Sequence, residues 1–295
     1  MADPTFNPDA PGYDPNNAIL LAKASSLAYK GNTPVEEKEV RDTLKSWWFP
    51  RSKLITGISP DPFTGKKNDT QLVVAKNDKA LILAFRGTEK NLEDWLSDGK
   101  VRFTGGPFGK DSLIHEGFGL ALGSVWSQVL EAIKDFHVEG QGLWITGHSL
   151  GAALATLATA KLLEKPEQIP GGKKKLRALY TFGSPRVGNQ TFTNKFDELF
   201  KSNTFRFVNN RDIVTRVALT LLGYHHVGHA YYIDGNGELQ IDPSNWDMAG
   251  ELLKSATSLI TPITGKHITA IEDHSIDGYA RQIENSIHKP PSTQG

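Results

Sequence analysis

Short, mainly apolar runs alternate with longer amphipathic runs along most of the chain. The apolar runs predict strands at 70–76, 80–85, 143–146, 176–182 and 204–208, and a turn at Asn77-Asp78 joins the first two as a hairpin. Apolar residues at helical spacing predict helices at 19–29, 113–136, 150–163, 192–200 and 275–287. A second hairpin is predicted near 231–241, and it turns at Asp234 to Gly237.

The order of these elements predicts the class of fold. Strands that alternate with helices form a mostly parallel sheet that is covered by helices on both faces. The first 16 residues are rich in proline and are expected to be a loose lead-in. Because the sequence shows no internal repeat and no low-complexity segment, we predict one α/β domain over residues 1–295.

Composition narrows the classes of function. The 33 Lys and Arg residues balance 33 Asp and Glu residues, so the chain lacks the basic excess of a nucleic-acid binder. There is no cysteine, which excludes disulfides, thiol nucleophiles and cysteine-based metal sites. No signal peptide is visible, and the longest apolar stretch, 150–160, is about half the ~20 residues that span a bilayer. Secretion and a cytoplasmic location both stay open.

One motif carries the candidate chemistry. Residues 147–151 read Gly-His-Ser-Leu-Gly and fit the pattern G-x-S-x-G. A predicted strand runs into the motif and a predicted helix leaves it, which is the context of a nucleophile on a strained strand-to-helix turn. We therefore predict Ser149 as the nucleophile, over the alternative of a Gly/Ser turn without chemistry.

A serine nucleophile requires a base that takes its proton and an acid that orients this base. In the strand-turn-helix arrangement, the acid and then the base follow the serine along the chain. Asp212 follows the strand at 204–208 and is the predicted acid, while Asp234 is a rival that a hairpin turn explains better. His274 precedes the last helix and is the predicted base, and His267 is the weaker candidate.

The remaining histidines are expected to be structural. His148 lies inside the motif beside the nucleophile, which disfavours it as the base. His225, His226 and His229 form H-H-x-x-H, but no carboxylate or fourth ligand follows at a zinc spacing. We predict no metal and no organic cofactor.

An oxyanion hole needs two backbone N–H donors that point at the tetrahedral intermediate. One donor is predicted at Leu150, the residue after the nucleophile. The other is predicted at Thr88, on the loop after the strand at 80–85, where the alternative is an ordinary turn residue.

With these residues in place, the chain resembles the lipase class 3 family, the fungal-type triacylglycerol lipases with bacterial and plant relatives. The motifs occur in order between Ile19 and Ile283: LILAFRGT at 81–88, IHEGF at 114–118, TGHSLGAALA at 146–155, TFGSPRVGN at 181–189, FVNNRDIV at 207–214, GYHHVG at 223–228 and DHSIDGY at 273–279. TFGSPRVGN is the most diagnostic, because many hydrolase families share G-x-S-x-G.

The resemblance implies an α/β-hydrolase fold and the same site that the residues predict. It implies Ser149, Asp212 and His274 as the triad, with Thr88 and Leu150 as oxyanion donors. We also expect Pro185 and Val187, within TFGSPRVGN, to contribute to substrate binding.

Two departures from the family pattern concern the substrate pocket. The family usually continues after RDIV with a proline-bearing segment, whereas this chain has Thr215 to Ala218. The segment that follows Ile241 is longer than in compact fungal members, and we interpret 242–270 as a cap insertion. An apolar helical stripe within it, at 248–263, fits a second flap or ordinary core packing equally well.

The segment 89–98 is predicted to be a lid. Leu92, Trp95 and Leu96 share one helical face, and the acidic residues lie elsewhere. Such a face would cover the site in water and dock onto a lipid–water interface when open. The alternative is a surface helix that packs on the core.

The predicted function is hydrolysis of carboxylic esters of lipids through an acyl-enzyme on Ser149, as in a triacylglycerol lipase. The alternatives are a phospholipase A1, a feruloyl or other carboxylesterase, and a catalytically silent hydrolase-fold protein used for binding. The predicted partners are a lipid or other ester substrate and the lipid–water interface, with no nucleic acid and no stable protein partner.

Overall fold

The described part of the chain is built around one large sheet. The computed structural model describes residues 5–60, 67–87, 102–209, 212, 223–243 and 274–288. Its strands are β1 Arg51–Pro60, β2 Lys67–Lys76, β3 Ala80–Phe85, β4 Phe103–Gly105, β5 Leu113–His115, β6 Gly142–His148, β7 Leu176–Phe182, β8 Thr204–Asn209, β9 His229–Ile233 and β10 Leu239–Ile241. Eight of them form the sheet in the order β1-β2-β3-β6-β7-β8-β9-β10, and β4 pairs with β5 separately.

The centre of the sheet is parallel and its margins are antiparallel. Strands β3, β6, β7, β8 and β9 are parallel neighbours. Strands β1 and β2 join one side of this core antiparallel, and β10 joins the other. The predicted hairpins at Asn77-Asp78 and Asp234–Gly237 are both confirmed. The carboxyl ends of the parallel strands meet at one edge, where open α/β sheets place their ligands.

Helices cover both faces of the sheet, as predicted. They are α1 Pro15–Leu27, α2 Pro34–Ser46, α3 Glu116–Gly123, α4 Trp126–Phe136, α5 Leu150–Glu164, α6 Gln190–Phe200 and α7 Ile276–His288. Apolar residues of α1, α2 and α7 form one core with the sheet, and those of α3 to α6 form the other. None of the described helices is both long and apolar enough to cross a bilayer.

Strand β3 shows how the apolar runs produce this layering. All six of its residues are buried. Leu81, Leu83 and Phe85 pack into the core under α3 to α6, while Ile82 and Ala84 pack toward α1 and α2. A strand buried on both faces needs an unbroken apolar run, because its side chains alternate between two cores.

Several elements differ from the sequence prediction. The run at 113–136 contains strand β5 and two helices rather than one helix, because α3 ends at the glycine- and serine-containing step Gly123-Ser124. Helix α2 and strands β1 and β4 lie where the sequence analysis predicts neither a helix nor a strand. Helix α2 carries a visible signal, since Thr33 and Glu36 form a capping box around Pro34 at the first helical position.

His115 connects β5 to α3 in a buried position. Its Nδ1 accepts a hydrogen bond from the Gly117 backbone N–H at 3.1 Å and so caps the helix. Its ring packs against Phe118 and Tyr224. Burial lowers the pKa of His115 to about 4. The imidazole is therefore neutral in the folded protein at neutral pH.

We predict that His115 makes the fold sensitive to acid. Because the pKa is lower in the folded than in the unfolded chain, the unfolded chain binds more protons between pH 6.5 and 4, and stability is lost as the pH falls. The loss should be roughly 3 kcal/mol. In His115→Asn the amide oxygen still caps α3 but does not titrate. Urea unfolding at pH 7 and pH 4 should show a smaller pH-dependent loss in this variant, and equal losses would contradict the prediction.

Candidate active site

Ser149 lies on the turn between β6 and α5, at the carboxyl edge of the sheet. Its backbone has φ 57° and ψ −128°, a conformation that non-glycine residues rarely adopt. The turn is held by a hydrogen bond from the Ser149 N–H to the Phe182 carbonyl oxygen at 3.0 Å. A β-carbon on Gly147 would overlap the Gly151 carbonyl, and one on Gly151 would overlap the Phe85 carbonyl. The two glycines therefore let β6, α5 and the end of β3 pack backbone against backbone.

The predicted acid and base lie in contact. His274 Nδ1 donates to Asp212 Oδ2 over 2.9 Å. Asp212 is fully buried beyond the end of β8, and its N–H donates to the Asn209 carbonyl oxygen at 3.0 Å. Because Nδ1 carries the hydrogen in this pair, a neutral His274 presents the lone pair of Nε2. His274 Nε2 is buried and has no hydrogen-bond partner among the described residues.

Ser149 lies at the same edge of the sheet, at the end of β6, with β7 between it and β8. Its Oγ is buried and also without a partner in the described ranges. Gly183 packs against the acid and the base, because a β-carbon on it would lie 2.7 Å from Asp212 Oδ2 and 3.0 Å from His274 Nδ1. The residue before it, Phe182, provides the carbonyl oxygen that accepts from the Ser149 N–H. The φ of +59° at Gly183 also favours glycine. Ser149 therefore lies at the same edge of the sheet as the hydrogen-bonded pair of Asp212 and His274, and no hydrogen bond joins Ser149 Oγ to His274 Nε2 in the described structure.

Tyr279 also contacts the acid, and sequence reasoning missed it. Its hydroxyl donates to Asp212 Oδ2 at 2.6 Å and accepts from the Asn209 N–H at 3.0 Å. Tyr279 is fully buried on α7, five residues after the base. One signal in the sequence could have identified it. The helical spacing of α7 places this tyrosine on the apolar face, where a buried hydroxyl needs a hydrogen-bond partner.

One predicted oxyanion donor lies beside the nucleophile. Leu150 is the first residue of α5, so its N–H has no acceptor within the helix. At the end of β3, a β-carbon on Gly87 would lie 3.1 Å from Ser149 Cβ, so the backbone before Thr88 closely approaches the nucleophile. Thr88, the lid 89–98 with Leu92, Trp95 and Leu96, and the segment 244–270 lie outside the described residues.

Pro185 and Val187 lie on the loop after β7. Both are buried, and Val187 belongs to the core under α3 to α6. The Val187 carbonyl oxygen accepts from the His115 N–H at 3.0 Å, which ties this loop to the start of α3. A role of either residue in substrate binding stays a prediction.

The rival candidates occupy other places. Asp234 closes the turn between β9 and β10 by accepting from the backbone N–H groups of Asn236 and Glu238. His229 pairs with Asp242 at 2.6 Å. Among the residues that the structure describes, no group of three potential ligands could hold a metal ion. His267 lies outside the described residues.

Comparisons with known proteins show which proteins the chain resembles. Residues 82–221 match the family model described as lipase (class 3). The secreted mono- and diacylglycerol lipase A of Penicillium cyclopium is 30% identical over 176 residues, which are 59% of this chain and 54% of that protein. A lipase of Rhizopus niveus is 30% identical over 223 residues, 74% of this chain and 53% of that protein. The chain therefore spans about half the length of these curated relatives.

Solved lipase structures share the fold. Lipase II from Rhizopus niveus superposes with a TM-score of 0.59 at 26% identity, covering 77% of this chain and 84% of that one. A triacylglycerol lipase whose catalytic centre is formed by a serine protease triad gives a TM-score of 0.56 at 26% identity, covering 77% and 82%. The α/β-hydrolase fold that the motifs imply is thus confirmed. Residues 82–221, which carry the predicted nucleophile and the strands around it, are thus similar to the lipase (class 3) family.

Proposed function

We propose that the chain hydrolyses carboxylic esters through an acyl-enzyme on Ser149. The observation that carries the proposal is a pair of buried, unpartnered atoms, Ser149 Oγ and His274 Nε2, at one edge of the sheet, with His274 Nδ1 bound to Asp212. Burying polar groups without partners is costly, so such atoms in the described structure need an explanation. A substrate ester group that reacts with Oγ and exchanges protons with Nε2 provides one.

The reaction proceeds in two acyl transfers. His274 Nε2 takes the Ser149 proton while Oγ attacks the ester carbonyl carbon. The oxyanion then accepts hydrogen bonds from the Leu150 N–H and, as proposed from the sequence, the Thr88 N–H. His274 returns its proton to the leaving alcohol oxygen as the acyl-enzyme forms. A water molecule activated by Nε2 then releases the acid, and the proton returns to Ser149.

Asp212 stabilises the imidazolium that forms on His274 and fixes its tautomer. Complete burial of Asp212 strengthens this interaction, because little solvent screens it. The Tyr279 hydroxyl donates to the same carboxylate oxygen, Oδ2, that accepts from His274 Nδ1, and so helps to hold it in place. No metal or organic cofactor takes part in the proposed steps.

We propose lipid esters, and triacylglycerol first, as the substrate class. The support comes from the apolar face of the proposed lid and from the lipase relatives, one of which is a mono- and diacylglycerol lipase. With charges balanced at 33 against 33, binding to a lipid surface would depend on exposed apolar residues rather than on a basic excess.

Replacing Ser149 by Ala should abolish ester hydrolysis, with a loss on the order of 10⁶-fold in kcat, because the acyl acceptor is gone. An organophosphonate should label residue 149 of the wild type and leave the variant unlabelled, as peptide mass spectrometry can show. Thermal unfolding checks that the variant stays folded. Near-wild-type turnover by the variant would end the proposal, and a wild type that resists labelling would favour the silent binding protein.

Replacing Tyr279 by Phe should lower kcat about tenfold, since the hydroxyl holds the Asp212 carboxylate. It should also cost about 1–3 kcal/mol of unfolding free energy, because the buried Asn209 N–H loses its acceptor. Tyr180→Phe is the matched control, since the buried Tyr180 hydroxyl also accepts from a backbone N–H, that of Asp14, at 3.2 Å. Equal kcat values in the two variants would show that Tyr279 only stabilises the fold.

A substrate panel tests the lipid preference. Initial rates at one pH should be higher on an emulsified long-chain triacylglycerol than on a soluble short-chain ester, because docking at the interface opens the proposed lid. Ser149→Ala corrects for non-enzymatic hydrolysis. An equal or lower rate on the emulsion would favour an esterase, while the highest rate on phospholipid vesicles would favour a phospholipase A1.

A further inference from the structure

A second histidine lies beside the proposed triad, and its ring is bonded at both nitrogens. His148 directly precedes Ser149 and is 4% exposed. Its Nε2 lies 2.5 Å from the backbone carbonyl oxygen of His274, and its Nδ1 lies 2.7 Å from the Tyr29 hydroxyl oxygen. The ring also packs against the His274 ring, with centroids 4.6 Å apart.

The direction of these hydrogen bonds follows from their chemistry. A carbonyl oxygen only accepts, so His148 Nε2 carries the hydrogen and donates it to His274. Burial, and then the neighbouring His274, hold the pKa of His148 well below its ordinary value. A neutral imidazole has a single N–H, so Nδ1 is an acceptor and the Tyr29 hydroxyl donates to it. The Tyr29 hydroxyl therefore donates to His148 Nδ1, and His148 Nε2 donates to the His274 carbonyl oxygen.

This arrangement fixes the backbone of the proposed base against that of the nucleophile. Asp212 orients the His274 ring at Nδ1, while His148 holds the backbone from which this ring extends. Since Ser149 is covalently joined to His148, one residue sets the positions of both reacting groups. Misplacement of reacting groups by about 1 Å can cost about 100-fold in rate.

Tyr29 is itself held in place by the fold. It follows α1, which is attached to β6 by a hydrogen bond between Ser25 Oγ and Thr146 Oγ1 at 3.1 Å. On its other side, a β-carbon on Gly87 would overlap the Tyr29 hydroxyl. Tyr29 thus contacts both His148 and the backbone that leads to Thr88.

We propose that Tyr29 and His148 are positioning residues that hold His274 in register with Ser149 for proton transfer. Neither contacts the substrate in this proposal, which rests on the proposed function of Ser149 and His274. It assigns to His148 a role other than that of the base, and it gives Tyr29 a role that no sequence motif indicates.

Three substitutions separate the two hydrogen bonds. His148→Gln keeps an N–H donor near the position of Nε2, and His148→Phe keeps a ring but removes both bonds. Tyr29→Phe removes the donor to Nδ1. With a soluble ester, kcat should fall about 100-fold in His148→Phe and about tenfold in Tyr29→Phe, with KM nearly unchanged. His148→Gln should recover part of the loss. The rate of organophosphonate labelling of Ser149 should change in parallel.

Tyr180→Phe is the control for removal of a buried tyrosine hydroxyl, and it should lower stability without changing kcat. The downfield proton NMR signal of His274 Nδ1–H, bonded to Asp212, should shift in Tyr29→Phe and not in Tyr180→Phe. Wild-type kcat and labelling in Tyr29→Phe and His148→Gln would overturn the proposal, and these two variants decide it if His148→Phe does not fold. Loss of activity in Ser149→Ala together with unchanged His148 and Tyr29 variants would leave the proposed function intact and reject only this inference.

Discussion

The close backbone contact at the end of β6 is the constraint on which the rest of this edge depends. At Gly147 and Gly151 the turn leaves no room for a β-carbon, because the carbonyls of Gly151 and Phe85 occupy that space. Ser149 is forced to φ 57° between them, and its N–H reaches across to β7. A strained residue persists only where its surroundings determine it fully, and three neighbouring strands do so here.

The support for the site comes mainly from one face of the sheet. Helix α7 contributes Tyr279 to the Asp212 carboxylate, and Tyr29, just beyond α1, bonds to His148. Both helices pack into the same core, so two series of hydrogen bonds from one face converge on His274. Because the chain has no cysteine, no disulfide holds these loops, and apolar packing with buried hydrogen bonds must do so.

The sequence predicted the features that depend on neighbours along the chain. Strands at 80–85 and 176–182 match the structure to the residue, because strands buried on both faces are unbroken apolar runs. Strand β1 was missed, since a polar strand at the margin of a sheet, with Gly57 and flanking prolines, has the composition of a loop. Tyr29 and His148 are 119 residues apart, and only the assembled sheet brings them together.

His148 and His274, whose rings are in contact, must differ in charge for the proposed chemistry to proceed. During acyl transfer His274 gains a proton, and a second imidazolium with its ring centre 4.6 Å away would oppose that gain. The structure avoids this conflict because burial keeps His148 neutral. The Asp212 carboxylate, hydrogen-bonded to His274 Nδ1, stabilises the positive charge that forms on His274. A buried lysine or arginine in place of His148 would meet the same opposition, and an apolar residue would leave the His274 carbonyl without its donor. A neutral imidazole, which donates at one nitrogen and accepts at the other, satisfies both conditions at once.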